Sequence, residues 1–149
     1  GAAADEFKVM TYDHSGAWSP PGPIAPPDWM DAGLSHAETL VPPQKIMMGL
    51  PFYGYDWSGG SATPVNWSDV QAILAARHPS VTRDPSGEAT FTYTDGRGAV
   101  HTVFFQDRPA IQAKLAVLRE RHPGIRGVAI WVMEGEDPDF WTDVEDALR

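Results

Sequence analysis

Short apolar runs and amphipathic segments alternate along the chain. Three short apolar runs predict strands: residues 7–13, 45–51 and 127–133. Residues 45–51 are almost continuously apolar, as expected of a strand that is covered on both faces. Four other segments carry the spacing of an amphipathic helix: residues about 28–40, 67–77, 109–121 and 139–148. Because strands that alternate with helices indicate a parallel sheet, we predict an α/β fold in which the three apolar strands are parallel neighbours.

Capping residues and prolines mark the ends of the predicted helices. Asp28 is expected to cap the first helix, whose apolar face is expected to comprise Trp29, Ala32, Leu34 and Ala37. Asn66, followed three residues later by Asp69, has the pattern of a capping box for the second helix. Pro109 is expected to open the third helix.

A segment that does not follow the alternation of apolar strands and helices separates the second apolar strand from the third helix. Residues 59–64 (GGSATP) are predicted to form a linker, and residues 53–57 (YGYDW) an aromatic loop. Residues 89–95 and 99–107 alternate with period two around a Gly-rich turn, which predicts an antiparallel hairpin. We therefore divide the chain into three parts: residues 1–57, 58–107 and 108–149.

Composition and charge narrow the classes of function. The chain has 149 residues and a formal net charge of −9, from 20 acidic and 11 basic residues, and it has no basic stripe, so no nucleic-acid partner is expected. The lack of cysteine excludes disulfides, thiolate zinc sites and cysteine nucleophiles. No apolar run is long enough to span a membrane. The six tryptophans can stack on sugar rings, although packing in a core is the alternative for any one of them.

An acidic run follows the third apolar strand: Glu134, Glu136, Asp137 and Asp139. No histidine lies near enough in sequence to complete a regular ligand pattern, so a solvated start of the last helix is the preferred interpretation over a metal site. The five histidines are scattered and are expected at the surface. We expect neither a metal nor a cofactor.

Three segments in order resemble glycoside hydrolase family 18, the chitinase-like barrels, and within it the bacterial spore-cortex and germination N-acetylglucosaminidases. They are VMTYD with PGPIAP, PPQKIMMGLPFYGYDW, and VFFQDRPAIQAKL with GVAIWVMEGEDPDFW. The resemblance implies a partial TIM (β/α)8 barrel, strands six to eight, with an α+β insertion lobe at residues 58–107. A complete barrel needs about 250 residues, so we expect this chain to be the C-terminal part of a larger enzyme.

The resemblance also implies roles for individual residues. The Tyr12 hydroxyl would hydrogen-bond the N-acetyl carbonyl that attacks the anomeric carbon, and Asp13 would contact substrate hydroxyls, with a strand-end tyrosine and a turn aspartate as the structural alternative. Trp131 would form the floor of the sugar subsite, or else pack in a core. Met10 would lie at the inner end of the barrel and pack beside the pocket. The remaining candidates for groove lining are Tyr53, Tyr55 and Trp57, for which a structural role is equally open.

The family's catalytic signature, DxxDxDxE, does not occur in the chain, and residues 137–146 have the acidity without the spacing. The resemblance therefore implies a piece of a glycosidase for β-1,4-linked N-acetylglucosamine in chitin or peptidoglycan, inactive alone because the acid glutamate is missing. The alternatives are a lectin-like carbohydrate-binding protein and a structural fragment that binds nothing. Gln106 stands where the family commonly has Glu, which weakens any role for that position.

The resemblance leads to two further expectations, about self-association and about location. The open edges of a partial barrel would uncover inward-facing residues such as Met10, Met48 and Ile130, so the chain is expected to self-associate. The resemblance also favours a secreted, cell-wall or spore-associated location.

Overall fold

The computed structural model describes residues 3–133 and 135–149, which form a mixed α/β fold with two sheets. In chain order the strands are β1 (Phe7–Val9), β2 (Ile46–Pro51), β3 (Gly54–Ser58), β4 (Ser61–Val65), β5 (Thr82–Arg83), β6 (Ala89–Thr94), β7 (Val100–Phe105) and β8 (Gly127–Trp131). The α-helices are α1 (Pro27–Glu38), α2 (Trp67–Arg77), α3 (Arg108–Arg121) and α4 (Phe140–Ala147). All four predicted helices therefore form, close to their predicted ends.

The first sheet has the strand order β1-β2-β8, and both pairings are parallel. Val9 pairs with Met48, and Leu50 pairs with Ile130. The central strand β2 is almost wholly buried, which explains its continuous apolar sequence. The prediction that the three apolar strands are parallel neighbours is confirmed.

Helices α1, α3 and α4 pack together with this sheet around one apolar core. On α1 the buried residues are Met30, Leu34 and Ala37. Trp29 and Ala32, which were predicted on the same face, are exposed instead. The buried stripe of the helix starts at Met30 and continues four residues later at Leu34 and three residues after that at Ala37. Asp28 is not the cap as predicted: Pro26 precedes the helix, and Asp28 lies in its first turn.

The side chains expected to face an open barrel interior do not all do so. Met48 is fully buried in the core between the sheet and the helices, and Ile130 packs against the same core. The expectation that these two residues would be uncovered is wrong, because side chains alternate along a strand and their register places both on the helix side. Met10, after the end of β1, is 71% exposed as expected.

The second sheet is antiparallel, with the order β4-β3-β7-β6-β5. The predicted hairpin is β6–β7, and the Asp95 carboxylate accepts hydrogen bonds from the Arg97 and Ala99 amides in its turn. Helix α2 covers one face, and its predicted capping box forms between Asn66 and Asp69.

The loop predicted at residues 53–57 and the linker predicted at 59–64 are wrong, because strands β3 and β4 lie there and pair with each other. Gly59 and Gly60 both have positive φ, which suits the tight turn between two strands of right-handed twist. Pro64 lies in the edge strand β4, where no second neighbour needs its missing N–H group. Turn-forming residues therefore mark a hairpin here and not a linker.

The parallel sheet has two edge strands, β1 and β8. Several large apolar side chains on or just after these strands are exposed: Phe7, Met10, Trp131, Val132 and Met133. The edges of a sheet and exposed apolar side chains beside them are potential sites of association. Among the described residues, no helix has the length and apolar character needed to cross a membrane.

Candidate functional site

The carboxyl ends of β1, β2 and β8 meet at one edge of the parallel sheet, where the residues singled out in the sequence follow. After β1 the Thr11 hydroxyl donates to the Gly49 carbonyl at 2.6 Å, which holds the chain against β2 beyond the last strand residue. A Cβ on Gly49 would lie 2.9 Å from Cε1 of Tyr12. It would lie closer still, 2.5 Å, to the Val9 carbonyl oxygen, so glycine is required in β2 for the backbone after β1 and the Tyr12 ring to approach the strand.

Asp13 is the centre of a hydrogen-bonded cluster. Its backbone is left-handed, with φ of 63°, a conformation that aspartate tolerates better than most residues. Its Oδ1 atom accepts a hydrogen bond from the Tyr53 hydroxyl and another from the Tyr55 hydroxyl, the latter at 3.2 Å. Three sequence-predicted residues, 40 and 42 positions apart, are thus brought into direct contact.

Aromatic rings surround this carboxylate in edge-to-face pairs. The Tyr12 and Tyr53 ring centroids are 6.2 Å apart, and those of Tyr53 and Tyr55 are 5.7 Å apart. Trp57 follows on the same face of β3, with its ring 5.5 Å from that of Tyr55. The two tyrosine pairs are close to perpendicular and the Tyr55–Trp57 pair is tilted by 58°. Such geometries add to the stability of aromatic pairs, so the rings form one continuous wall.

The phenols of the cluster stay protonated well above neutral pH. Burial, followed by the hydrogen bond to Asp13, strongly raises the pKa of Tyr53. Burial and the Asp13 charge raise the pKa of Tyr55 to about 12, and the same two causes raise that of Tyr12. All three hydroxyls are therefore neutral hydrogen-bond donors at any physiological pH.

Tyr12 differs from its two neighbours in what its hydroxyl contacts. Within residues 3–133 and 135–149, no side chain or backbone group forms a hydrogen bond with this hydroxyl, whereas those of Tyr53 and Tyr55 are both occupied by Asp13. The Tyr12 ring is half-buried. The cluster thus has one fixed phenol whose donor is left for a ligand.

Trp57 is buried and fixes the loop between β1 and α1 through its indole N–H. Its indole N–H donates to the carbonyls of Gly16 and Ser19, at 3.1 and 3.2 Å. These two residues belong to the loop between β1 and α1. Trp57 therefore holds that loop against the second sheet, while its ring also lines a cavity described below.

Trp131 and Met10 lie at the same sheet edge but are not packed into the tyrosine cluster. Trp131 is the last residue of β8, pairs with Pro51 and is 57% exposed. Its carbonyl accepts from the Phe52 amide at 2.7 Å, so the backbone is fixed, while the indole is mostly exposed. An exposed indole on a rigid strand is suited to stacking.

Trp18 was not among the site residues predicted from the sequence. Its side chain is 64% exposed, more than that of any other tryptophan among the described residues. It lines an open cavity of about 520 Å³ together with Pro20, Trp57, Gly59 and Gly60. Its position in a proline-rich loop directly after Tyr12 and Asp13 is the signal that could have identified it. The loop thus adds a second accessible indole beside the cluster.

The other titratable groups do not form a metal site among the described residues, where no group of three His, Asp or Glu side chains has the required arrangement. Of the acidic run, Glu134 lies outside the described residues. Asp137 is buried and accepts a hydrogen bond from the Asp139 amide at 3.0 Å. Gln106 is buried, and neither atom of its amide has a partner within the described part of the chain. Nothing therefore assigns Gln106 a place in the site.

The arrangement suits recognition of a neutral, hydroxyl-rich ligand. Neutral phenols donate, the Asp13 carboxylate accepts, and exposed indoles offer apolar faces. Such a set can orient a sugar ring and hold its amide substituent.

Comparison with known proteins is consistent with this chemistry. The family described as "Glycosyl hydrolases family 18" matches residues 1–137. The cortical fragment-lytic enzyme of Bacillus anthracis is 34% identical over 148 residues, which are 95% of this chain and 34% of that protein.

Two solved structures show the same fold. The Bacillus cereus spore cortex-lytic enzyme SleL matches with a TM-score of 0.91 and 30% identity over 100% of this chain and 36% of that one. A chitinase from Chromobacterium violaceum matches with a TM-score of 0.86 and 33% identity over 99% of this chain and 47% of that one. The chain therefore spans between about a third and a half of the length of these relatives. The family match over most of the sequence shows that this chain belongs to glycosyl hydrolase family 18.

Proposed function

We propose that the chain is the C-terminal part of a glycosidase that cleaves β-1,4-linked N-acetylglucosamine glycans by substrate-assisted retention. The observation that carries the proposal is the tyrosine cluster around Asp13, with the Tyr12 hydroxyl as its one unoccupied donor. It lies where strand ends meet, the place at which βα-barrel enzymes build their sites. Relatives named as cortex-lytic enzymes and chitinases support N-acetylated glycans as the substrate class.

In this mechanism the sugar's own amide is the nucleophile, one of the exceptions to the two-carboxylate scheme. The Tyr12 hydroxyl would donate to the N-acetyl carbonyl oxygen and keep it in line with the anomeric carbon. Asp13 would accept from substrate hydroxyls through the oxygen that the two other tyrosines leave available. Trp131 would stack beneath the reacting sugar, and Trp18 beneath a neighbouring one.

The 149-residue chain alone is proposed to be inactive. The catalytic acid of the family belongs to a DxxDxDxE segment that this sequence does not contain. Loss of a general acid typically costs about 10²–10⁴-fold in rate. Turnover of a fluorogenic chitobioside by the pure chain, above the background of a Tyr12→Phe variant, would contradict this part of the proposal.

Binding is the direct test of the site. Calorimetric titration with chitotetraose, and separately with a soluble cortex peptidoglycan fragment, distinguishes the two glycans that share the β-1,4-linked N-acetylglucosamine unit. Tyr12→Phe removes only the hydroxyl and is expected to weaken binding by roughly 2–12-fold, the range for one hydrogen bond. Equal affinity of the variant and the unchanged chain would remove the role proposed for Tyr12.

The second candidate is a non-catalytic carbohydrate-binding protein. The exposed indoles of Trp18 and Trp131 favour it, because both can bind sugars without any acid. The sequence of the parent protein distinguishes the two functions. A DxxDxDxE segment upstream of this chain would support the glycosidase, whereas a parent without that segment would support the binding protein. Either protein would meet its glycan in a secreted, cell-wall or spore-associated setting.

The fold is proposed to be strands six to eight of a (β/α)8 barrel, residues 1–57 and 108–149, with residues 58–107 as the insertion lobe, to which the pairing of β3 with β4 and β7 adds residues 54–57. The isolated chain would then self-associate through the edges of its parallel sheet, where Met10 and Trp131 are exposed. Light scattering at micromolar concentration tests this. We expect a dimer that Met10→Lys disperses, whereas a monomer of the unchanged chain would refute it.

A further inference from the structure

A buried ion pair connects helix α3 to the start of β6 in the second sheet. Glu88 immediately precedes β6 in the second sheet, and Lys114 lies on α3, which packs with the first sheet. Each side chain is only 1% exposed, and Lys114 Nζ lies 3.2 Å from Glu88 Oε2. Burial lowers the pKa of Lys114, while the Glu88 charge opposes that change.

Glu88 also binds the loop that follows Tyr12 and Asp13. Its Oε1 atom accepts from the Ile24 amide at 2.5 Å, and its Oε2 atom from the Ala25 amide at 3.2 Å. Five prolines between residues 20 and 27 leave this stretch few backbone donors. The amides of Ile24 and Ala25 are two of the donors that remain, and both donate to the Glu88 carboxylate, so Glu88 fixes the position of this part of the loop.

Ile24 transmits that position to Asp13. The Ile24 carbonyl accepts a hydrogen bond at 2.9 Å from the amide of His14, the residue directly after Asp13. The Ile24 side chain is fully buried and packs in one cluster with Tyr12, Tyr53 and Tyr55. A continuous path of contacts therefore runs from Lys114 through Glu88 and Ile24 to the left-handed turn at Asp13.

Stability alone is a poor explanation for this pair. Burying two charges costs free energy that their attraction often only balances, and apolar residues of similar volume are frequently as stable. An apolar residue at position 88 could not accept the two loop amides, however. The Asp84 carboxylate in turn holds the Glu88 amide at 2.9 Å, so the acceptor itself is fixed.

We propose that Glu88, held by Lys114, is a positioning residue that sets the conformation of the Asp13 turn and so the geometry of the Tyr12–Asp13 site. The role in glycan recognition rests on the proposed function; the control of the turn does not.

Native-state hydrogen exchange followed by NMR on the whole chain tests the proposal. The diagnostic amide is that of His14, because none of the substitutions removes its own donor or acceptor. The variants are Glu88→Gln, which keeps the size of the side chain, and Glu88→Met/Lys114→Met, which removes both charges together. Val70→Ala is the matched control, since Val70 lies on α2, is fully buried in the second sheet's core and is not part of the Ile24 cluster.

In Glu88→Gln we expect the His14 amide to exchange at least tenfold faster relative to amides of the β6–β7 ladder, and no such difference in Val70→Ala. Equal acceleration of His14 and the ladder would overturn the proposal, because the pair would then act only on global stability. If Glu88→Gln does not fold, Glu88→Met/Lys114→Met carries the same test, since it leaves no unpaired charge.

Chitotetraose titration adds the functional readout. If the unchanged chain binds, Glu88→Gln should weaken binding at least tenfold and Val70→Ala should not; unchanged affinity in Glu88→Gln would contradict positioning of the site. If the unchanged chain does not bind, the proposed function fails, and the exchange of His14 still decides whether Glu88 controls the turn.

Discussion

Alkaline titration of the tyrosines tests the geometry of the site in solution. The chain has four tyrosines, and the structure raises the pKa of each one. Burial is the first cause in every case. Asp13 adds to the effect on Tyr12, Tyr53 and Tyr55, and Asp56 adds to the effect on Tyr93. Every phenol in the folded chain is therefore expected to titrate above its ordinary pKa.

The expected difference between the folded and unfolded chains is large. At pH 10.5 a phenol with a pKa of about 10 is roughly 75% ionised, whereas Tyr55, with a pKa of about 12, is roughly 3% ionised. The unfolded chain should thus carry roughly three tyrosinates at this pH, and the folded chain fewer than about one. Because folding raises these pKa values, their contribution to stability is complete below about pH 10 and is lost as the pH rises through the folded values.

Ultraviolet absorbance of tyrosinate, in buffer and in guanidinium chloride, measures both states. Asp13→Asn removes the charge beside three tyrosines and should increase tyrosinate at pH 10.5, yet leave it below the unfolded level because burial remains. Asp56→Asn is the matched control, since Asp56 accepts from Tyr93 alone among the tyrosines. A folded chain that titrates with the midpoint of the unfolded chain would refute the buried cluster.

Three other substitutions test separate parts of the structure. Trp18→Ala should weaken chitotetraose binding in calorimetry without changing thermal unfolding, because the side chain is mostly exposed; an unchanged affinity would remove Trp18 from the site. Gln106→Leu should raise the free energy of unfolding by about 1–3 kcal/mol in denaturant titration, because the buried amide has no partner among the described residues; a loss of stability would contradict this. Leu34→Ala should lower the free energy of unfolding by about 2.7–5 kcal/mol, since Leu34 is fully buried, and a loss below about 1 kcal/mol would place it outside the core.

Much of the local structure could be predicted from the sequence. The apolar run at β2 identified a strand covered on both faces, and the Asn66–Asp69 pattern identified the start of α2. The positions of Tyr12, Asp13 and Tyr53 near strand ends also followed, because carboxyl ends of parallel strands share one edge of a sheet. Period and capping depend on neighbouring residues, so they are visible in a single sequence.

The same local signals misplaced residues 53–64. Glycines and prolines there indicated a loop and a linker, whereas the chain forms β3 and β4. Pairing with β7 decides this, since a strand's hydrogen bonds come from a partner outside its own segment. Which face of β2 Met48 would occupy likewise depended on the register and on the helices that cover it.

The sequence by itself determined the three parallel strands, the β6–β7 hairpin and the four helices, and that a tyrosine and an aspartate follow the first strand. Only the tertiary structure decided that Asp13 meets Tyr53 and Tyr55, and that Glu88 meets Lys114 and the loop at Ile24. The partners of Glu88 are 26 and 64 residues away in the sequence, so neither residue spacing nor periodicity can predict these contacts. Their contact depends on how α3 and the loop before α1 pack against the start of β6, because the hydrogen bonds of a buried carboxylate are satisfied by whatever donors folding brings to it.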